Sequence, residues 1–239
     1  KWAVPSVRTV VRVTDLCSYP APFASWFSVH GAAAILVSNW QADQFVQARE
    51  RIVINPILDP TPETERVPGR FVYASAPAKG LTETIAMWQR LHAEWPKEMA
   101  GTQLVIATPG GFDFYGDALP AFDDETIRYA GTPNVVEYRK LIASAEGLFY
   151  VNVQTEAFCN VAALAERSGT RPHILCRNGI GGIREAMASS ATESRVTELE
   201  SRFVTDFLDS FGEPPRFPKT LVDRSRSALA PRWEEAMHL

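Results

Sequence analysis

The chain has 239 residues, of which 46% are hydrophobic and 22% charged, so it is ordinary globular material, neither disordered nor fibrous, and long enough for one large or two small domains. A formal net charge of −4 at pH 7, without a long basic run, argues against a general nucleic-acid-binding protein. The longest nearly apolar stretch, Gly31 to Val37, is far shorter than the ~20 residues that span a bilayer, and no secretory signal is visible.

The three cysteines, Cys17, Cys159 and Cys176, are widely spaced and include no CxxC pair, so neither a disulfide framework nor a zinc site is expected. His173 and Cys176 are three residues apart on a predicted strand, which places them on opposite faces and does not suit a shared metal ion. We therefore expect a protein of the reducing cytoplasm that uses no metal and no bound cofactor.

The first part of the chain predicts a small α/β unit. Val7 to Val13 is rich in β-branched residues and predicts a strand, and Ala32 to Val37 is a short apolar run typical of a second, buried strand. Ser38 is a good N-cap for a short helix, and Arg51 to Ile54 predicts a third strand. This order of elements is the beginning of an α/β layer.

A polar, proline-rich stretch from Asp59 to Pro68 predicts the boundary between two units, because few contacts need to cross such a segment. We accordingly divide the chain into three parts. Residues 1–66 form an amino-terminal lobe with its linker, residues 67–215 a Rossmann-like domain, and residues 216–239 a terminal helical segment.

Beyond the linker, strands and helices alternate. The predicted strands are Arg70 to Ala74, Leu104 to Ala107, Gly147 to Val153 and His173 to Cys176. The predicted helices are Leu81 to Trp95, Asp123 to Tyr129, Val135 to Ile142, Ala162 to Arg167, Ser194 to Phe211 and Val222 to Leu239. Such alternation predicts a parallel sheet with crossover helices.

Glu156 stands between a predicted buried strand and the helix that follows it. In open α/β sheets, ligands bind in the crevice at the carboxyl ends of the strands, and a helix amino terminus there attracts phosphate. The backbone amides near Phe158 to Asn160 would face this crevice, and the Glu156 carboxylate beside them is suited to hold the hydroxyl groups of a sugar. The alternative is an acidic residue that the helix dipole favours at this position.

Lys79 lies in a loop directly after another predicted strand. A compact cation in this place is suited to a phosphate group. Together with a helix amino terminus it could supply the positive charge that a divalent metal ion provides at other phosphate sites. The alternative is a solvated surface lysine.

Two blocks of the sequence carry a resemblance to a known family. The first is Thr155 to Asn160 (TEAFCN), followed by Gly169-Thr170 and by Gly181 to Glu185 (GGIRE), and the second is Phe71 to Leu81 (FVYASAPAKGL). Both resemble the donor site of retaining, family 4-like glycosyltransferases. The resemblance implies a GT-B-like α/β fold, with a Rossmann-type parallel-sheet domain, a reduced amino-terminal α/β lobe, and a terminal helix in residues 216–239 that braces that lobe.

The resemblance also implies residue roles, and two positions depart from the family pattern. It makes Lys79 the residue that binds the donor diphosphate and Glu156 the residue that positions the donor sugar, so these two are the catalytic candidates. The arginine that the family pairs with this lysine is replaced by Ala74, and the family's ribose-binding glutamate is replaced by Leu164. Glu166 is two residues further along, which rotates a helix by about 200°, so it does not simply inherit the ribose role.

The remaining candidates are residues that would contact the donor. Arg177 is a substitute for the missing cation, and the segment that begins at Gly131 aligns with the family loop beside the nucleotide base. The full set of donor-binding candidates is Ala157, Phe158, Cys159, Asn160, Gly131, Thr132, Glu166, Arg177, Gly181 and Gly182.

Residues 1 to about 60 resemble only the last portion of the family's acceptor-binding domain. Either residues are absent from this sequence, or the protein is naturally reduced. The first functional hypothesis is a metal-independent, retaining glycosyltransferase that moves a sugar from a nucleotide donor to a hydroxyl group of a glycan, a lipid or a small metabolite.

The alternative is a non-catalytic half-protein that binds a nucleotide sugar or a glycan, or one that depends on a partner subunit to supply the missing lobe. An epimerase or phosphorylase of similar fold ranks last. Neither nucleic acid nor a transmembrane segment enters either hypothesis. A cytoplasmic location is expected, with peripheral association with the inner face of the membrane left open.

Overall fold

The computed structural model describes residues 10–13, 32–46, 48–58, 63–109, 123–187, 196–211 and 224–238. These residues form two parallel β-sheets with helices on their faces, which confirms the predicted α/β fold class.

The regular elements alternate along the second half of the chain as βα units. The strands are β1 (Val10–Val13), β2 (Ala33–Leu36), β3 (Glu50–Val53), β4 (Arg70–Ala74), β5 (Gln103–Ala107), β6 (Ile127–Tyr129), β7 (Gly147–Asn152), β8 (Arg171–Cys176) and β9 (Val196–Thr197). The helices are α1 (Asn39–Gln44), α2 (Leu81–Glu94), α3 (Val135–Ser144), α4 (Asn160–Arg167), α5 (Ile183–Ala186), α6 (Glu200–Leu208) and α7 (Arg226–His238). None of the described helices combines the length with the apolar composition that a membrane-spanning helix requires.

The first lobe consists of the parallel sheet β1-β2-β3 with helices α1 and α7. Successive side chains of β2 point to opposite faces of the sheet. Ala34 and Leu36 pack on one face with Phe45, which follows α1. Ile35 packs on the other face with Ala236 of α7. The sheet is therefore covered on one face by a helix from the beginning of the chain and on the other by a helix from its end.

The second lobe contains a six-stranded parallel sheet in the order β6-β5-β4-β7-β8-β9. Counted from β4, this is the strand order 3-2-1-4-5-6 of doubly wound Rossmann-type sheets. Strands β7 and β8 are buried along their whole length, as expected for central strands covered by helices on both faces.

A cluster of aromatic rings fills the core on one face of the second sheet. Trp88 of α2 lies 5.2 Å from Phe149 of β7, and Phe207 of α6 lies 4.9 Å from Phe149 and 5.0 Å from Phe71 of β4, measured between ring centroids. The ring planes are steeply inclined to one another, which is a favourable arrangement for aromatic pairs. This cluster fixes the position of the two central strands β4 and β7.

One predicted helix is wrong and a second is wrong in part. In place of a helix from Asp123 to Tyr129, the structure has a turn followed by strand β6, because the Asp124 carboxylate accepts hydrogen bonds from both the amide and the hydroxyl of Thr126 and so favours the turn. In place of one helix from Ser194 to Phe211, the short strand β9 pairs with β8 and helix α6 begins only at Glu200.

The end of the proline-rich segment is attached to the second lobe. The guanidinium of Arg66 donates to the carbonyl oxygens of Ala145 and Ser168 at 2.7 Å each, and the amide of Val67 donates to Ser144 at 2.8 Å. Burial lowers the pKa of Arg66, although the charge of Glu146 acts in the opposite direction. Residues 59–62 of the segment lie outside the described part of the chain.

Candidate functional site

The strand order of the second lobe creates a topological switch point between β4 and β7. The chain leaves β4 toward β5 on one side and leaves β7 toward β8 on the other. In open α/β sheets, ligands bind in the crevice beyond the carboxyl ends of the strands at such a point. Lys79 follows β4 and Glu156 follows β7, so the two loops that carry them leave the sheet side by side.

A tight turn positions Lys79. Residues Pro77–Lys79 form a single 3-10 turn, and Gly80 after it has a φ of +116°, a conformation that favours glycine. A Cβ atom on Gly80 would lie 2.0 Å from the carbonyl oxygen of Val151, so the loop approaches β7 more closely than any other residue would allow. The amide of Val153 donates to the carbonyl of Lys79 at 3.2 Å. The two loops are thus joined directly through their backbones.

The side chains of Lys79 and Glu156 form an ion pair in this crevice. The Nζ atom of Lys79 lies 2.9 Å from each carboxylate oxygen of Glu156. The lysine side chain is 30% exposed and the glutamate side chain 8% exposed, so the lysine keeps contact with water while the carboxylate is almost enclosed. The lysine therefore compensates a charge that would be costly to bury alone.

Tyr150 supports the carboxylate from the sheet side. Its hydroxyl oxygen is 3.4 Å from Oε1 of Glu156 and 3.2 Å from Oδ1 of Asn152. Burial, the largest cause, together with the charge of Glu156, raises the pKa of Tyr150 well above its ordinary value. The phenol therefore keeps its proton and donates it to a neighbouring acceptor.

The segment after Glu156 leads into helix α4 with its side chains turned inward. Ala157, Phe158 and Cys159 are buried, whereas Asn160, the first residue of α4, is exposed. No side chain caps the amino terminus of this helix, whose N-cap position is Cys159. Burial, the largest cause, raises the pKa of the Cys159 thiol, and the charge of Glu156 adds to it. The thiol is therefore neutral, and it leaves the first backbone amides of α4 without a side-chain cap from the N-cap residue.

Gly181 and Gly182 hold the same segment from the β8 side. The amide of Gly182 donates to the carbonyl of Glu156 at 2.7 Å. A Cβ atom would lie 2.6 Å from the Glu156 carbonyl oxygen at Gly181 and 2.0 Å from the Ala157 carbonyl oxygen at Gly182. The two glycines thus let the backbone of the loop pack directly against another backbone.

Two of the predicted donor-binding residues interact with other charged side chains. Arg177 at the end of β8 forms a salt bridge with Glu200, which also binds Arg90 of α2. Glu166 is 3% exposed in α4 and interacts electrostatically with Arg224. The Arg177 side chain thus joins the end of β8 to helix α6, and the Glu166 side chain interacts with the segment that precedes α7.

A cavity of about 670 Å³ opens beside the amino-terminal ends of α3 and α4. Gly131 and Thr132 directly precede its wall, and Asn160, four residues after Glu156, forms part of it. Its lining is mainly apolar and includes Ile57, Leu58, Pro133, Val135, Val161 and Leu164. Ile57 and Leu58 lie just after the first sheet, so the cavity is bounded by chain from both halves of the molecule.

Sequence reasoning missed two residues that contact this site. Tyr150 was only part of a predicted buried strand, and Ser38 was predicted only as a helix N-cap. In the structure the hydroxyl of Ser38 also donates to the carbonyl of Ala157 at 2.5 Å. The two residues are 119 positions apart, so no local spacing could reveal the contact. In the described part of the chain, no group of three or more His, Cys, Asp or Glu side chains is arranged to hold a metal ion.

Several solved glycosyltransferase structures share this fold at low sequence identity. TarM superposes with a TM-score of 0.66 at 9% identity, over 97% of this chain and 50% of TarM. The GtfA/B complex gives 0.64 at 16% identity, over 98% of this chain and 52% of the other. The pneumococcal O-GlcNAc transferase GtfA in complex with UDP and GlcNAc gives 0.64 at 10% identity, over 98% and 53%.

These similarities define the fold. The chain has the GT-B fold of glycosyltransferases, as the two sequence blocks predicted, and it spans about half the length of the structures that it resembles. Comparison of the sequence with protein-family models and with curated proteins gave no match.

Proposed function

We propose that this chain forms the donor-binding half of a glycosyltransferase that moves a sugar from a nucleotide sugar to a hydroxyl acceptor, with retention and without a metal ion. The observation that carries the proposal is the Lys79–Glu156 ion pair at the switch point of the sheet, with 2.9 Å between Nζ and each carboxylate oxygen. In this fold the crevice at the switch point is the place for a nucleotide ligand.

The transfer reaction requires, at one place, a cation and a group that accepts hydrogen bonds from the sugar hydroxyls. Breaking the bond between the sugar and the diphosphate leaves negative charge on the phosphate, which preorganised donors must stabilise. Lys79 and the backbone amides at Phe158 to Asn160 supply positive charge, while Glu156 accepts hydrogen bonds from the sugar hydroxyls. We therefore assign Glu156 a positioning role, and retention is carried over from the family resemblance.

The cavity beside α4 is the proposed place of the nucleoside. Its volume of about 670 Å³ suits a small ligand, and its apolar walls favour the flat face of a base. The sequence resemblance implies a ribose-binding carboxylate at the position of Leu164, which lies in this wall, so the ribose hydroxyls need other partners. We place Gly131 and Thr132 beside the base, and Ala157, Cys159, Gly181 and Gly182 along the backbone path to the sugar.

A second candidate function is nucleotide-sugar binding that requires a partner for catalysis. The family's second cation is replaced by Ala74, which is 2% exposed at the end of β4. The chain also spans about half of the glycosyltransferase structures that it resembles, one of which is a complex of GtfA and GtfB. A partner subunit would then supply the acceptor side.

The test is the thermal stability of the purified chain against UDP, UDP-GlcNAc and a panel of other nucleotide sugars. A ligand that binds only the folded state stabilises it by about 2.7 kcal/mol at a hundred times its Kd. Lys79→Ala and Glu156→Gln should each remove most of the shift. The exposed residues Lys97 and Glu98 offer matched controls, Lys97→Ala and Glu98→Gln, which should keep it.

Three outcomes are decisive, one for the site assignment and two for the candidate functions. Full binding by both site variants would overturn the site assignment. Binding by the wild type with release of UDP only when an acceptor is added, unaffected by EDTA, supports the metal-independent transferase. Binding without any turnover supports the partner-dependent protein.

A further inference from the structure

The loop that carries Glu156 receives a contact from the first lobe. The hydroxyl of Ser38 donates to the carbonyl oxygen of Ala157 at 2.5 Å, one residue after Glu156. Ser38 is completely buried, although it lies in a seam between two lobes. Burial of a hydroxyl group is favourable only when its hydrogen bonds are made, so this contact is a specific one.

The same hydroxyl also caps helix α1. The amide of Gln41 donates to Oγ of Ser38 at 3.0 Å, and Ser38 has the extended conformation of an N-cap residue. A serine hydroxyl has one proton to donate and lone pairs to accept with, and here it uses both. The Oγ atom of Ser38 is therefore hydrogen-bonded both to the amino-terminal end of α1 and to the carbonyl of Ala157, which couples their positions.

Glu185 fixes the same helix end from the second lobe. Its carboxylate accepts hydrogen bonds from the amide of Asn39 at 2.7 and 2.9 Å and from the amide of Trp40 at 3.3 Å. It also accepts one from the side-chain amide of Asn39 at 2.9 Å. These amides are the first two of α1, which have no partner inside the helix and attract negative charge.

Gly182 makes it possible for Ser38, Ala157 and the turn before α5 to pack against one another. A Cβ atom there would lie 2.0 Å from the carbonyl oxygen of Ala157 and 3.2 Å from Oγ of Ser38. Any larger residue would force the loop, the first lobe, or both, out of place. The turn before α5 therefore sets the distance at which Ser38 can reach the loop.

We propose that Ser38 is a positioning residue for Glu156, through which the first lobe sets the geometry of the donor-sugar site, with Glu185 holding the end of α1 in register. The proposal rests on the proposed function of Glu156. Removal of Ser38 leaves the Ala157 carbonyl without this donor and frees the loop to shift, so Glu156 no longer meets the sugar hydroxyls in one orientation. A lobe contact of this kind makes sugar recognition depend on the presence of the first lobe.

The first measurement needs no ligand. In Ser38→Ala, hydrogen exchange of the amides in residues 155–160 should become about tenfold faster than in the wild type, since the loop loses a buried hydrogen bond. Thr205→Ala is the control, because the hydroxyl of Thr205 donates to the carbonyl of Ser201 at 3.0 Å within helix α6, so this variant removes a side-chain hydrogen bond elsewhere. Equal exchange of residues 155–160 in Ser38→Ala and in the control would overturn the proposal.

The second measurement separates positioning from general weakening. UDP lacks the sugar, so Ser38→Ala should leave its Kd within about twofold and raise the Kd of UDP-GlcNAc by about tenfold. An equal loss for both ligands would contradict a role through Glu156. If the wild type binds no nucleotide sugar, the proposed function fails, whereas the exchange measurement still decides whether Ser38 controls the loop.

A second variant guards against loss of folding. Glu185→Ala removes only the partly exposed contacts to the end of α1. It should also make hydrogen exchange in residues 155–160 faster, by a smaller factor than Ser38→Ala. An unchanged exchange rate there would show that the end of α1 does not control the loop.

Discussion

At the scale of single residues, the Lys79–Glu156 pair is asymmetric in its exposure to water. The side chain of Glu156 is almost enclosed, whereas the side chain of Lys79 is 30% exposed. Loss of the lysine therefore leaves a buried charge without its partner, while loss of the glutamate charge leaves a cation that water can still solvate.

This asymmetry predicts unequal losses of stability. Lys79→Ala should lower the free energy of unfolding by about 1–3 kcal/mol, whereas Glu156→Gln should cost less than about 1 kcal/mol because the amide still accepts a hydrogen bond. Urea denaturation of both variants measures the difference. A larger loss in Glu156→Gln than in Lys79→Ala would show that the lysine is not the partner that keeps the carboxylate charged.

The two described cysteines should be unreactive in the native protein. Both thiols are buried; burial raises the pKa of Cys159 and, as the largest cause, raises that of Cys176 to about 12. Since the thiolate is the nucleophile, iodoacetamide at about pH 8 should modify neither site in the folded chain and both in denaturant. Mass spectrometry of the peptides resolves each site. Rapid native alkylation of Cys159 would mean that the loop after Glu156 opens readily.

At the scale of elements, the end of helix α2 carries a histidine whose protonation opposes folding. The ring of His92 packs at 5.2 Å from that of Trp88, and Nε2 lies 3.2 Å from the hydroxyl of Thr102. That hydroxyl donates its proton to the carbonyl of Met99 at 2.7 Å, so it accepts from the histidine ring. Burial lowers the pKa of His92 below its ordinary value of 6.5, and the charge of Asp124 only partly offsets this.

The sign of the resulting pH dependence follows from the direction of the shift. As pH falls through 6.5, the unfolded chain takes up a proton that the folded chain does not, so stability is complete above 6.5 and decreases below it until the folded pKa is reached. His92→Gln should therefore show a smaller loss of stability than the wild type between about pH 7.5 and about pH 5.5. Parallel curves of unfolding free energy for the two proteins would contradict this.

Helices and strands were predictable where the apolar pattern was strong. They were missed where a hydrogen bond between near neighbours in sequence determined the local structure. The stripe of Leu81, Ile85 and Trp88 predicted α2, and each of these residues is buried. The strand β6 was missed because three residues carry too little periodicity, and because the turn at Asp124 depends on its hydrogen bonds to Thr126. An acidic residue near an apolar run favours a helix start and such a turn equally well.

At the scale of the whole molecule, the placement of Lys79 and Glu156 at one edge followed from parallel strands alone, since their carboxyl ends lie at the same side of a sheet. The contacts between lobes did not follow. Ser38 and Ala157, or Asn39 and Glu185, belong to distant parts of the chain, and their meeting depends on how the lobes pack. Sequence patterns report neighbours on one element and do not report such packing.

The packing of helix α7 on the first sheet predicts that this helix contributes to the stability of the first lobe. Ala236 is 1% exposed between Ile35 and Ile54, and Arg232 donates to the carbonyl of Val53 at 2.7 Å. Ala236→Asp should lower the free energy of unfolding by about 3 kcal/mol or more, because it buries a carboxylate among aliphatic side chains. Glu235→Ala, on the exposed side of the same helix, should change it by less than about 0.5 kcal/mol.

Chemical denaturation measures both variants, and hydrogen exchange locates the effect. In Ala236→Asp the amides of β2 and β3 should exchange faster than those of β7 and β8. Similar stability of the two variants would mean that α7 adds nothing to the first lobe.

The origin of α7 also sets an order of events during synthesis. The aliphatic face of the first sheet, formed by Val10, Ile35 and Ile52 with Ile54, leaves the ribosome well before Trp233 and Ala236, which form part of its cover. Translation passes through almost the whole second lobe in between. Until α7 has left the ribosome, this aliphatic face stays partly uncovered, and we expect chaperones that bind exposed apolar surface to engage the nascent chain during this interval.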